Sequence, residues 1–203
     1  MNVIVFSPHP DDAEIVMGGT IAKYTRKGHD VLIVLVTIPS EQEIRKNEVR
    51  RAAEILSARL SILDLDPYRL VFDRKLVELF DKVLKDFPPD IIYTSWLHDS
   101  HQDHLAVSKA AISAARKNNS SLYMYEQEIP SGITPAAFRA QAFVDISDVI
   151  DIKMQAIMAH KSQFSKYGQE WIDGIRGRAS YWGNRLNTKY AEAFEVVREI
   201  KVI

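Results

Sequence analysis

Two short stretches hold four of the chain's six histidines, each beside carboxylates that could share acid–base or metal chemistry with them. The first is Ser7-Pro8-His9-Pro10-Asp11-Asp12-Ala13-Glu14, and the second is His98-Asp99-Ser100-His101-Gln102-Asp103-His104. Prolines fix the backbone on both sides of His9, and a rigid loop carrying an imidazole and two carboxylates is costly unless it holds something. Taken alone, the first stretch could equally be a Pro-Asp-Asp helix cap beside a surface histidine. The second changes that balance. Ser100 and Asp103 fit a capping box, but a cap does not account for three of the chain's six histidines within seven residues.

Neighbouring side chains on such a loop diverge, so Asp11 and Asp12 are expected to divide their roles. If His9 binds a metal, Asp12, three positions on, is the natural second ligand, and Asp11 points toward substrate. His101 and His104 are three apart and can share one face of a helix at its entry, with Asp103 off that face and able to accept from an imidazole N–H. One histidine from each cluster and one aspartate make a three-ligand site with an open fourth position, the pattern of catalytic rather than structural zinc. Two histidines and a carboxylate also suit non-haem iron, so Fe2+ stays open beside Zn2+. With no cysteine in the chain, thiolate ligands, disulfides and a cysteine nucleophile are excluded.

Regular elements must bring the two clusters together. Val3 to Phe6 and Val31 to Val36 are apolar at every position, as strands covered on both faces are. Between them, Gly18 to Gly28 reads as a helix with cations in its last turn and Gly28 at its end. The alternation continues with a helix over 41–57, a strand at 60–63, a helix over 74–87 and a strand at 91–94. It goes on with a helix over 104–117 and strands at 122–125 and 142–145. This predicts an α/β fold, a single domain over 1–203 with a Rossmann-like, mostly parallel sheet and helices on both faces. Each cluster follows a strand, and ligands of such sheets bind beyond the strands' carboxyl ends. Toward the C-terminus the pattern predicts a helix over 149–162, a Gly- and aromatic-rich loop over 167–182 and a strand over 194–202.

The 203 residues carry 26 Lys and Arg against 27 Asp and Glu, which gives no electrostatic reason to expect nucleic acid or an anionic membrane as partner. Nothing approaches a membrane span, and the N-terminus lacks a secretory pattern, so a cytoplasmic protein is expected. Gly18-Gly19 lacks dinucleotide-loop spacing. Trp171, Tyr181 and Trp182, with Arg176 and Arg178, read as core, as a sugar-stacking surface or as an oligomer contact, without a catalytic role.

At this point the sequence resembles a known family. Pro8-His9-Pro10-Asp11-Asp12-Ala13-Glu14-Ile15 with Gly18-Gly19-Thr20, and His101-Gln102-Asp103-His104, are similar to the two signature motifs of the LmbE-like (PIG-L) zinc-dependent N-deacetylases. Weaker similarity includes Gly28-His29, Arg45-Lys46-Asn47-Glu48 and His160-Lys161-Ser162-Gln163. The resemblance implies that His9, Asp12 and His104 bind zinc and that Asp11 is the general base toward a zinc-activated water. It also implies that His101, with Asp103 behind it, assists at the oxyanion or leaving group. In this reading Asp103 keeps His101 cationic. The implied substrate is a small-molecule amino-sugar conjugate such as an N-acetylglucosamine derivative, and the implied assembly a homo-oligomer. Two departures stand out. Ile38-Pro39-Ser40-Glu41-Gln42 replaces a Gly-Glu-bearing loop, and His98-Asp99-Ser100 stands where some relatives carry a tyrosine. Arg45, at a helix entry, is a candidate anchor for a sugar or phosphate oxygen. The rival readings are a metal-dependent phosphoesterase, which commonly needs more bridging carboxylates, and a catalytically silent sugar- or partner-binding protein of the same fold.

Overall fold

The computed structural model describes residues 1–127 and 136–201. In chain order the elements are β1 (Asn2–Ser7), α1 (Asp12–Arg26), β2 (Asp30–Thr37), α2 (Gln42–Ile55), β3 (Arg59–Leu65), α3 (Arg74–Asp86) and β4 (Ile91–Ser95). They continue with α4 (Gln102–Ala115), β5 (Ser121–Tyr125), β6 (Ala142–Asp145), α5 (Ile150–Met158), α6 (Lys161–Arg185) and β7 (Ala191–Arg198). The strands lie in the order β3-β2-β1-β4-β5-β7-β6. The first five are mutually parallel, while β7 runs antiparallel to β5 and β6 antiparallel to β7. This is the expected mostly parallel α/β sheet.

Strand alternation builds the two faces. On β1, Val3 and Val5 join one apolar cluster with side chains from α1, α2, α5 and α6, whereas Ile4 and Phe6 join another with α3 and α4. β2 divides in the same way, Val31 and Ile33 to the first cluster and Leu32 and Val34 to the second. Burial on both faces is why these strands lack polar alternation. β1 pairs with β2 on one side and β4 on the other. The chain therefore reverses its direction of travel across the sheet between β1 and β4, which opens a crevice at their carboxyl ends. Both chemical clusters sit there.

Three expectations are corrected. The predicted helix over 149–162 is two helices, ending at Met158 and restarting at Lys161. The predicted loop over 167–182 lies inside α6, interrupted only at Gly168 (φ 70°, ψ −163°). Its buried positions Trp171, Ile172, Ile175, Ala179 and Gly183 recur every three or four residues, so packing against the sheet outweighs the helix penalty of four glycines. The last strand begins and ends earlier than predicted, at Ala191 and Arg198, and Val202 lies outside the described residues. No helix among the described residues is long and apolar enough to cross a membrane.

α1 begins at Asp12, ahead of the predicted Gly18, and breaks at Met17 (φ −142°, ψ 20°). The break exposes amide N–H groups that a continuous helix would satisfy. Glu192 on β7 takes them, accepting from Gly19 N at 3.0 Å and Thr20 N at 2.6 Å, and also from Lys153 Nζ of α5 at 2.7 Å. Lys153 and Glu192 are both buried. Gly19 is required sterically, since a Cβ there would lie 2.7 Å from Ile146 Cγ2. Removing Glu192 leaves a buried, unpaired ammonium, so Glu192→Ala is expected to lower stability by about 3–5 kcal/mol. Chemical denaturation measures this, and a loss within about 0.5 kcal/mol, as at an ordinary surface position, would contradict it.

Candidate metal centre

The loop after β1 is wired through its own side chains. Ser7 Oγ donates to His9 O at 2.8 Å and accepts from Ala13 N at 3.2 Å. Asp12 Oδ2 accepts from His9 N at 2.9 Å. Between them Asp11 takes a positive φ of 94°, a conformation costly for a residue other than glycine and held only where surroundings over-determine it. The kink gives the two carboxylates different partners, Arg45 for Asp11 and the His9 amide and His104 for Asp12. The second cluster enters α4 differently from the capping box. His101 is the N-cap, its Nδ1 accepting from Asp103 N at 3.2 Å, and Asp99 Oδ1 accepts from His101 N at 2.7 Å.

Across the crevice, three atoms form a triangle. His104 Nε2 lies 3.3 Å from His9 Nδ1 and 3.2 Å from Asp12 Oδ2, and His9 Nδ1 is 3.5 Å from the same oxygen. A tetrahedral ion with N and O bonds of about 2.0–2.15 Å has ligand-to-ligand edges of about 3.3–3.5 Å. The donor set and its spacing fit one divalent ion with a further position open. His101 brings a third ring, and the three histidines offer nitrogens within 4.8 Å of one another. His101 Nδ1 already accepts from Asp103 N, which leaves its Nε2 to face an ion or a substrate.

Each ring in the triangle is held from behind by a carboxylate. His9 Nε2 lies 2.8 Å from Asp103 Oδ2, and His104 Nδ1 lies 2.8 Å from Asp99 Oδ2. These are the outer partners that fix tautomer and ring orientation at metal sites. Two expectations change here. The Asp103 carboxylate holds His9 and not His101, because the N-cap geometry presents only the Asp103 amide to His101. The expected cationic His101 is also unsupported. Burial, then His104 and His9, lowers its pKa, and Nδ1 accepts a bond, which places the proton of the neutral ring on Nε2. Asp99 had no role in the sequence reading; its signal was a second carboxylate five residues before His104.

The charges are arranged for a cation. Burial alone would raise the Asp12 pKa, but His104 and His9 bring it down to about 2. Burial works against charge on His104, yet Asp12 and Asp99 push it up to about 10. Asp11 goes the other way, raised to about 7 by burial and then by Asp12, against the pull of His160 and Arg45. Arg45 is buried and donates from Nη2 to Pro10 O at 2.8 Å, with Asp11 Oδ1 at 3.4 Å. It braces the loop that carries Asp11. His98 is exposed, edge-on to Trp96 at 5.3 Å. His160 is fully buried 3.6 Å from the equally buried Glu14 Oε1, and Gln163 lines a cavity of about 330 Å3 that also touches His9, Asp11, Asp12, Arg45, His101 and His104.

Residues 4–115 match the family PIG-L, described as GlcNAc-PI de-N-acetylase. The chain is 30% identical to diacetylchitobiose deacetylase of Thermococcus kodakarensis, with 96% of this chain and 82% of that protein covered. Among solved structures, the conserved protein TT1542 of Thermus thermophilus superposes with a TM-score of 0.87 at 25% identity, covering 99% of this chain and 96% of that one. N,N'-diacetylchitobiose deacetylase of Pyrococcus horikoshii, complexed with an inhibitor, gives 0.83 at 26% identity, covering 97% and 83%.

A metal entering the triangle must displace the proton that His104 holds below about pH 10, while Asp12, at about 2, is already ionised. Apparent metal affinity is therefore expected to rise about tenfold per pH unit between pH 6 and 9, with about one proton released per ion. Calorimetry in buffers of different ionisation enthalpy measures the release, and pH-independent binding would be inconsistent with it. Asp99→Ala, which frees the His104 ring, should weaken metal binding by about 10–100-fold.

Proposed function

Because the chain belongs to the PIG-L family of de-N-acetylases and is an amide hydrolase acting on N-acetyl groups, we propose that it works with zinc on an amino-sugar conjugate such as an N-acetylglucosamine derivative. His9, Asp12 and His104 are the ligands in this reading. The observation that carries it is the triangle of 3.2–3.5 Å edges among those three side chains, with a carboxyl group of raised pKa one residue away. A divalent ion held there supplies Lewis acidity and lowers the pKa of water at the site.

Asp11 is the general base. A carboxylate poised near neutrality takes a proton readily and can return it to the departing amine. His101, neutral with its proton on Nε2, donates to the oxygen that gains charge as the amide carbon becomes tetrahedral. Asp103 acts one step removed, by holding His9. Arg45 positions Asp11 through Pro10 O and the carboxylate itself, and it lines the same cavity as a candidate anchor for a sugar or phosphate oxygen. Self-association into a homo-oligomer is the assembly that the family resemblance implies.

Zinc-reconstituted protein should release amine from a panel of N-acetylglucosamine derivatives. Asp11→Asn should keep its zinc and lose about 10²–10⁴-fold in turnover, whereas Asp12→Ala and His104→Ala should lose the ion. Equal metal loss in all three would contradict the division of roles. Activity needs Asp11 ionised, so kcat/KM should fall as pH drops through its pKa. That acid limb lies at or below about 7, the metal-free value, because a cation nearby favours the carboxylate.

A further inference from the structure

The cavity at the triangle has a second wall that the reaction does not use. It comes from α6, where Gln163, Tyr167 and Trp171 recur every four residues and all face the cavity with Lys166. Gly168 turns the backbone between the two aromatic residues. A Cβ there would meet nothing within 4 Å, so its φ of 70° and ψ of −163°, not a lack of space, make glycine necessary. Trp171 is 8% exposed and packs into the core, while Tyr167 is 37% exposed. Their ring centroids are 6.1 Å apart at 42°, so Trp171 backs the tyrosine ring on the cavity wall.

Two further observations give the wall a chemical preference. Lys166 Nζ lies 4.8 Å from the Tyr167 ring centroid, where the negative face of an aromatic ring attracts positive charge, and this exposed side chain must swing aside for a ligand to take the same face. The C–H groups along one face of a pyranose carry partial positive charge and suit the same surface. Gln127, after β5, lines the same cavity at 9% exposure, and its Oε1 has no hydrogen-bond partner among the described residues. A buried acceptor left unmet costs stability unless a ligand donates to it. A pocket for a long acyl chain would present neither the amides of Gln127 and Gln163 nor an ammonium.

We propose that the α6 wall is a carbohydrate-stacking subsite that selects the non-reacting part of the substrate. Tyr167, backed by Trp171, takes the C–H face of a pyranose ring, and Gln127 accepts from one of its hydroxyl groups. The subsite rests on the deacetylase reading above for the identity of its ligand, and it deepens that reading by naming what holds the sugar.

The test is calorimetric titration of N,N'-diacetylchitobiose into zinc-loaded Asp11→Asn protein, in which turnover is suppressed. Adding Tyr167→Ala should weaken binding about tenfold, the size of a lost aromatic contact. Tyr167→Phe, which keeps the ring, should restore it. Gln127→Leu should weaken binding several-fold, and thermal melts should show each variant folded. In the otherwise native enzyme, Tyr167→Ala should raise KM for the sugar and leave kcat and zinc affinity unchanged. Equal affinity with and without the tyrosine ring overturns the subsite, as does an absence of measurable chitobiose binding to the Asp11→Asn protein. Failure of the deacetylase reading shows separately, as wild-type protein that releases no amine from any N-acetyl sugar while the titration still judges the wall.

Discussion

Asp12 Oδ2 lies within 3.5 Å of two imidazole nitrogens and also accepts the His9 amide, and much of the surrounding structure serves to hold it there. A carboxylate oxygen is stable against two buried ring nitrogens at that range when each nitrogen carries a hydrogen or when a metal ion sits between them. The proton preference of His104 and the proton aversion of Asp12 express the same geometry. Ser7 ties the loop to itself, Arg45 braces it from α2, and Asp99 and Asp103 fix the rings on the far side. The parallel sheet contributes only the crevice between β1 and β4, an opening common to folds of this type whatever their chemistry.

Asp11 and Asp12 show how strongly position governs the behaviour of one side-chain type. They are neighbours in sequence and both buried, yet one carboxyl is raised to about 7 and the other lowered to about 2. The separation follows from the positive φ at Asp11, which turns the first carboxylate toward Arg45 and leaves the second to the imidazoles. Strain at one residue thus yields two groups of opposite acid–base character.

Legibility in the sequence tracks the range of the interactions involved. The strands showed because burial on both faces removes polar residues locally, and the two clusters showed because Pro8-His9-Pro10-Asp11-Asp12 and three nearby histidines are dense in themselves. The placement of both clusters at strand ends then made their convergence predictable. Hidden were features set by partners distant along the chain or by fine geometry. Asp103 turned to His9, 94 positions away, and no local pattern distinguishes that from a bond to His101. α6 was concealed by Gly168, Gly174, Gly177 and Gly183, whose loop-like composition masked a regular buried stripe. The buried pair of Glu14 and His160 looks in sequence like two ordinary polar residues.

The cap that Glu192 places on Gly19 and Thr20 bears on how the molecule comes into being. α1 carries Asp12 at its start and breaks five residues later, and the amides of that break find their acceptor on β7, the last of the described strands. During synthesis, β1, α1, β2 and β4 leave the ribosome well before that acceptor exists. Contacts of such long sequence separation are slow to form, so the nascent chain can assemble most of its parallel sheet while the segment after the first strand still lacks its anchor. The break in α1 is then capped only once β7 has arrived.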